Sequence, residues 1–446
     1  MEDALFFYNP WWTRELPGYL VKDYRRDTFY KLKEYSQTNR IIIIKGPRRA
    51  GKTTIMYQLI DDLLKSNKPG NILYLTFDDP KLRIDFDDIM DFYQIKILKK
   101  PLDETRTYIF MDEVQYLKNW QYSVKKYYDR NFPIQFIVSG SSATLIRKGT
   151  ESLMGRTIEE TLLPFSFKEF VEYRMNEKIP IDKKFPEIDM SIDINFIKKY
   201  EINAQVLFNK YLLKGGFPNI FNIPQNEIWQ KAVAEDIIDK AIYRDITTLY
   251  GIKKPEMLDK LFLYLTGING QILNINNISR SIGLSREYVN RYMTYLQNAY
   301  FLLTIKKFAK SIEKIARSNR KAYIIDPGII NSLLNKTEID DTSAGHLVES
   351  IIAAHLVKYE VYYFRDQYEV DFILKIKDKL IPIEVKYKNT VNKKDTKGLL
   401  EFCNKFKINK GFIITKNQYK CEYVENINIQ YIPVWAFLLV LPGSFT

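Results

Sequence analysis

Residues 41–53, Ile-Ile-Ile-Ile-Lys-Gly-Pro-Arg-Arg-Ala-Gly-Lys-Thr, constrain this chain more than any other stretch. Four consecutive isoleucines call for a strand buried on both faces, and the run after them fits the phosphate-loop pattern Gly-x4-Gly-Lys-Thr. The reason for the pattern is chemical. Glycines let backbone N–H groups curl around phosphate oxygens, Lys52 reaches the β and γ oxygens, and the Thr53 hydroxyl ligates Mg²⁺. Gly46, Pro47, Arg48, Arg49, Ala50, Gly51, Lys52, Thr53 and Thr54 are therefore the candidate nucleotide-binding residues. Helix-forming residues from Thr53 onward complete the strand, loop and helix that this chemistry needs.

Sixty residues past Lys52, Tyr-Ile-Phe-Met-Asp-Glu at 108–113 reads as an apolar strand ending in two carboxylates. Asp112 is placed to hold Mg²⁺ through water, and Glu113 to orient or deprotonate an attacking water. A further strand over 134–138 ends in Ser139-Gly140-Ser141-Ser142, whose small hydroxyl residues, Ser141 foremost, are candidates for the γ-phosphate or the lytic water, because ligands bind at that edge of open α/β sheets.

These motifs resemble the AAA-like archaeal and bacterial ATPases that carry a C-terminal restriction-endonuclease-like domain. Gly155-Arg156, Leu163-Pro-Phe-Ser-Phe-Lys-Glu-Phe170, Gly215-Gly216-Phe217-Pro218 and Tyr243-Arg-Asp-Ile246 also look like that family. The resemblance covers most of the chain. It implies that Lys52, Thr53, Asp112 and Glu113 carry ATP binding and hydrolysis, and it supplies the preference for adenine. An arginine that stabilises the transferring phosphoryl group is the remaining part, and it often comes from a neighbouring subunit. Arg156 and Arg244 are the candidates; the competing reading for each is a surface or capping ion pair.

Residues 276–305 read as a helix-turn-helix. Gly283 makes the turn, Ser285 caps the second helix, and Arg286, Asn290, Arg291 and Thr294 face outward opposite Tyr288, Val289, Tyr292, Met293 and Leu296. The strand-like 300–305 and the basic 306–321 are expected to form a wing. Farther on, Asp371 and Glu384 are equidistant from a turn at Lys377-Asp378, so a hairpin sets them opposite each other with Lys386 on the same face as Glu384. Two facing carboxylates can hold a divalent metal. The stretch resembles the PD-(D/E)xK nuclease motif, with Glu349 as a further acidic member. Cross-strand Asp/Lys pairs on a solvated hairpin are the alternative.

The expected fold class is α/β: a P-loop NTPase parallel sheet (1–165), a helical lid (166–265), a winged helix (266–325) and a C-terminal α/β restriction-endonuclease-like domain (326–446). A length of 446 residues accommodates these, and 46% apolar with 27% charged residues excludes wholesale disorder. Two cysteines and two histidines are too few for a disulfide framework or a zinc site. With no signal-peptide pattern and no apolar run of ~20 residues, the expected location is the cytoplasm, without a membrane.

The formal charge of +13 is unevenly spread: +4 over 1–270, +8 over 271–321, −6 over 322–374 and +9 over 375–420. Basic blocks of this kind suit DNA or another nucleic acid. The expected function is an ATP-binding, Mg²⁺-dependent ATPase that couples nucleotide state to a nuclease-like, DNA-binding C-terminal domain and works as a homo-oligomer. An ATP-regulated metal-dependent nuclease and a nucleotide-switched binding or signalling module are the alternatives.

Overall fold

The isoleucine run forms β1 (Ile41–Lys45), with all four isoleucines buried, inside a five-stranded sheet of order β2-β3-β4-β1-β5. The other strands are β2 (Ile72–Thr76), β3 (Thr107–Asp112), β4 (Ile134–Gly140) and β5 (Thr157–Thr161), and every pairing is parallel. Successive side chains leave opposite faces of each strand, so the strands feed two cores. Ile41, Ile43, Leu73, Ile109 and Val138 belong to one, and Ile42, Ile44, Tyr74, Phe110 and Ile137 to the other. The helix Lys52–Leu64 leaves the end of β1 through the loop. Strand β5 has no counterpart in the sequence reading, because Thr-Ile-Glu-Glu-Thr is a half-exposed edge strand without an apolar alternation.

The computed structural model describes residues 1–141, 150–181, 185–186 and 198–441. They fall into two compact units, Met1–Leu163 and Pro164–Thr446. Among the described residues, no helix is long and apolar enough to cross a membrane.

In the second unit, the described part of 166–265 holds helices only, beginning with Phe167–Met175. Ser166 and Glu169 cap that helix reciprocally, which explains the Ser-Phe-Lys-Glu run. The Gly215-Gly216 pair is explained by a close approach to Asp326. A Cβ at Gly215, whose φ is +75°, would lie 1.9 Å from Asp326 Oδ1, and the Gly216 N–H donates to Asp326 Oδ2 at 2.7 Å. Asp326 also accepts from the Gly328 and Ile329 N–H groups, and burial pushes its carboxyl up to about 7.

The helix-turn-helix is present as Ile275–Ile282 and Arg286–Asn298, with Gly283 left-handed and Ser285 capping. Arg286, Asn290, Arg291 and Thr294 are exposed, as expected of an outward face, but Tyr288 is exposed with them at 46% and stacks under Arg291. The expected wing strands, β6 (Leu302–Lys307) and β7 (Arg320–Ile324), do not end at a domain boundary near 325. They continue an eight-stranded mixed sheet of order β12-β13-β11-β10-β9-β8-β6-β7. Its other members are β8 (Glu360–Arg365), β9 (Glu369–Ile376), β10 (Lys379–Lys386), β11 (Lys410–Thr415), β12 (Lys420–Val424) and β13 (Ile427–Pro433). The junction is the parallel pairing of β6 with β8 at Lys306 and Lys307.

Replacing Gly215 by Ala forces a Cβ into the Asp326 carboxylate at a left-handed position. The expected loss of unfolding free energy is about 2 kcal/mol or more, read by chemical denaturation of the full chain. A Gly215→Ala protein as stable as the parent would contradict this packing.

Candidate nucleotide-binding and carboxylate sites

The loop after β1 owes its shape to its glycines. Gly46 has a φ of +153° and passes so near β5 that a Cβ would sit 2.0 Å from the Leu162 carbonyl oxygen. Arg49 and Gly51 are left-handed, and Gly51, the N-cap of the helix Lys52–Leu64, brings no side chain to satisfy its first-turn N–H groups. Those donors remain directed at the loop, which suits an anion. Lys52 is buried and its ammonium donates to the Gly46 and Pro47 carbonyl oxygens at 3.0 and 3.1 Å.

Asp112, at the end of β3, joins the parts. Its Oδ2 accepts from the Thr53 hydroxyl at 2.6 Å and from the Tyr74 hydroxyl at 2.9 Å, while its Oδ1 accepts from the Ser139 hydroxyl and from the Glu113 N–H at 3.1 Å. Because β4 lies between β1 and β3, Ser139 is carried to the carboxylate directly. Glu113 is left-handed and half-buried, and its side chain accepts from the Gln115 amide. Burial holds its carboxyl above the ordinary carboxylate range, and the neighbouring Asp112 adds to this, while Lys52 and Arg48 pull the other way. The Arg48 guanidinium donates to the Tyr116 hydroxyl at 3.0 Å, a contact with the turn that follows β3.

A hydroxyl, a carboxylate and an ammonium converging beside a helix N-terminus without a side-chain cap fit Mg²⁺ and a nucleoside triphosphate. Two contributors, Arg26 and Tyr74, escaped the sequence reading, and Ser139, expected to face the phosphate or the water, bonds the Asp112 carboxylate instead. Arg26, buried, donates to the Ala50 carbonyl at 3.3 Å and to Leu163 at 2.8 Å, which buttresses the loop from a helix start 20 residues upstream. Tyr74, in the middle of β2, and Ser139, near the end of β4, have roles that only the strand order reveals. Ser141 is buried just beyond β4, and Ser142 lies outside the described residues.

Arg156 is not brought to the loop within this unit. It precedes β5, whose Thr157 pairs with Ile41 at the start of β1, whereas the loop leaves the other end of β1 after Lys45. Its guanidinium donates to Asp129 at 2.7 Å, the ion pair that was its competing reading. Arg244 is exposed on the helical segment Ala234–Ile246 of the second unit.

The C-terminal carboxylates do meet. The β9–β10 register, with Phe372 opposite Ile383, sets Asp371 opposite Glu384, and both are buried. Asp371 Oδ2 accepts from the Val385 N–H at 2.9 Å, and Glu384 Oε2 from the Asp371 N–H at 3.3 Å. The other Glu384 oxygen accepts from Lys386. Burial, reinforced by Asp371, raises the Glu384 carboxyl, and the same two causes push Glu349 up to about 8.

A residue outside the expected set stands among them. Lys321 of β7, 4% exposed at its side chain, places its ammonium 3.3 Å from Asp371 Oδ1 and 3.9 Å from Glu349 Oε2, and pairs directly with Glu369. The donor set therefore does not fit a divalent ion. A doubly charged cation ~4 Å from that ammonium would be repelled by about 8 kcal/mol at an effective dielectric constant of about 20. Among the described residues, no group of three or more His, Cys, Asp or Glu side chains is disposed to hold a metal.

Residues 38–171 match the family model described as an AAA domain. Residues 205–340 and 344–437 match two domains of unknown function, DUF8612 and DUF4143. An uncharacterized protein of Haemophilus influenzae is 25% identical over 421 residues, covering 92% of this chain and 98% of its own. An uncharacterized protein of Methanocaldococcus jannaschii is 28% identical over 432 residues, covering 92% of this chain and 87% of its own. Among solved structures, C. elegans PCH-2 overlaps at 16% identity and a TM-score of 0.29, over 45% of this chain and 64% of its own. A DNA polymerase III gamma subunit-related protein of Thermotoga maritima overlaps at 11% identity and a TM-score of 0.27, over 61% of this chain and 97% of its own. By the family match, residues 38–171 carry an AAA-like P-loop domain, and the five-stranded parallel sheet of the first unit is consistent with a P-loop fold.

Proposed function

We propose that the chain is a Mg²⁺-dependent ATPase whose second unit contacts nucleic acid. The observation that carries the first half is the bond from Thr53 to Asp112, which unites the loop helix and the acidic strand at one point. Lys52 and the first-turn N–H groups would hold the phosphates, Thr53 and Asp112 would hold Mg²⁺, and Ser139 and Tyr74 keep the Asp112 carboxylate oriented. Bound there, Mg²⁺ would supply neutralisation of phosphate charge. Glu113 takes a proton from the attacking water, and Gln115 fixes its carboxylate. Arg156, paired with Asp129, is not assigned a role in the same subunit's site.

The second half rests on charge. Lys306, Lys310, Lys314, Arg317 and Arg320 are exposed around β6 and β7, and Lys307, Lys314, Arg317 and Arg365 line an open pocket of about 640 Å³ there. Cations gathered at a sheet end are the footprint of a phosphodiester partner. A restriction-endonuclease-like ancestry is compatible with the hairpin β9–β10 followed by the helix Lys397–Phe406 and the parallel β11. Such folds also serve as binding modules.

Lys52→Ala is expected to abolish both ATP binding and turnover. Glu113→Gln should keep ATP affinity within a few-fold of the parent and lower kcat at least a hundredfold, as followed by phosphate release and by equilibrium binding. Undiminished turnover in Lys52→Ala would remove the assignment. For the second unit, the affinity of the full chain for duplex DNA should fall steeply between 50 and 200 mM salt, roughly as ~0.9 of a power of salt per phosphate neutralised. Replacing Lys314 and Arg317 together by Ala should flatten that slope; an unchanged slope would place the contact elsewhere.

A further inference from the structure

We infer that the ammonium of Lys321 is the resident cation of the C-terminal carboxylate cluster, occupying the position a divalent metal would need, so that the cluster is a fixed structural junction and not a cutting site. The inference is independent of ATP turnover in the first unit.

Three observations converge on it. Lys321 draws carboxylates from two other elements, Glu349 of the helix Asp341–Leu356 and Glu369 with Asp371 of β9, and it reaches them from β7 in the sheet order β9-β8-β6-β7. A lysine that only solvated the sheet edge would extend into water; this one is almost wholly withdrawn from it. The carboxylate oxygens are also already engaged. Both oxygens of Asp371 and both of Glu384 face protein donors, and Glu349 Oε2 additionally accepts from the Tyr323 hydroxyl at 3.3 Å. A metal needs several such oxygens at ~2.0–2.6 Å and would have to displace these donors first.

The third observation is access. The segment 270–273 runs along the outer edge of β7: the Gly270 N–H donates to the Ala322 carbonyl at 2.7 Å, and the Leu273 N–H donates to Arg320 at 2.8 Å. Gly270, with φ of +80°, lies directly over Glu349, where even a Cβ would be 3.5 Å from Oε2. Asp371 at 6% and Glu384 at 5% exposure present little surface to a phosphodiester. A buried cation with its counter-ions satisfied holds elements in register, and removing the cation leaves uncompensated charge. Here it ties β7, which follows the helix-turn-helix, to β9 and the helix before β8.

The test is Mn²⁺ binding to nucleotide-free full-length protein, followed by the electron paramagnetic resonance of free Mn²⁺. The parent, Asp371→Asn and Glu384→Gln proteins are expected to bind the same number of Mn²⁺ ions, because the cluster contributes none. Lys321→Met, which keeps the stem and removes the charge, should acquire one additional Mn²⁺ site at least tenfold tighter than any in the parent. That site should disappear in Lys321→Met/Asp371→Asn. Supercoiled DNA and single-stranded RNA incubated with the parent and Mn²⁺ should stay intact. A parent Mn²⁺ site lost in Glu384→Gln would overturn the inference whether or not the Lys321 variant folds. Glu384-dependent cleavage, or a folded Lys321→Met protein that gains no Mn²⁺ site, would overturn it equally.

Discussion

The carboxylate of Asp112 is the point on which the first unit is organised. It sits at the end of β3 and binds a hydroxyl from the loop helix, a hydroxyl from β2 and a hydroxyl from β4. A buried carboxylate without such donors would be expelled or protonated, so its burial and its hydrogen bonds are one constraint. The consequence is geometric. The strand order that covers both faces of the sheet with apolar side chains is also the order that delivers Tyr74, Ser139 and Thr53 to one anion.

The phosphate loop depends on that arrangement from the other side. Gly46 must pass within contact distance of the Leu162 carbonyl, and Arg26 pins the Ala50 carbonyl, so the loop is held before any ligand arrives. Preorganised donors of this kind need no rearrangement when phosphate binds. The same economy appears in the second unit, where Gly215 and Gly216 admit Asp326 to their backbone and so fasten one helix pair to the next.

Much of this is legible in the residues themselves. A four-isoleucine strand, a glycine-framed loop and a strand ending in Asp-Glu fix local conformations and chemistry within a few residues, and so does the Ser285 cap after Gly283. The hairpin arithmetic for Asp371 and Glu384 also holds, because register follows from the turn. What stays hidden is set by contacts distant in sequence. Arg26 acts 24 residues from Ala50, Arg156 finds Asp129 27 residues away, and β6 and β7 read as a wing until their pairing with β8 is seen. Lys321 is the sharpest case. It closes the basic block 271–321, and in the charge profile it looks like one more rim cation, yet it lies inside the acidic cluster 50 residues from Asp371.

The most direct test of the central claim is phosphate release from ATP by the purified full chain, with Mg²⁺ or with EDTA, for the parent and for Asp112→Asn. The arrangement around Asp112 predicts turnover in the parent with Mg²⁺ only, and a loss of at least a hundredfold in Asp112→Asn, with the protein still folded. Turnover that survives EDTA, or an Asp112→Asn protein as active as the parent, would contradict it.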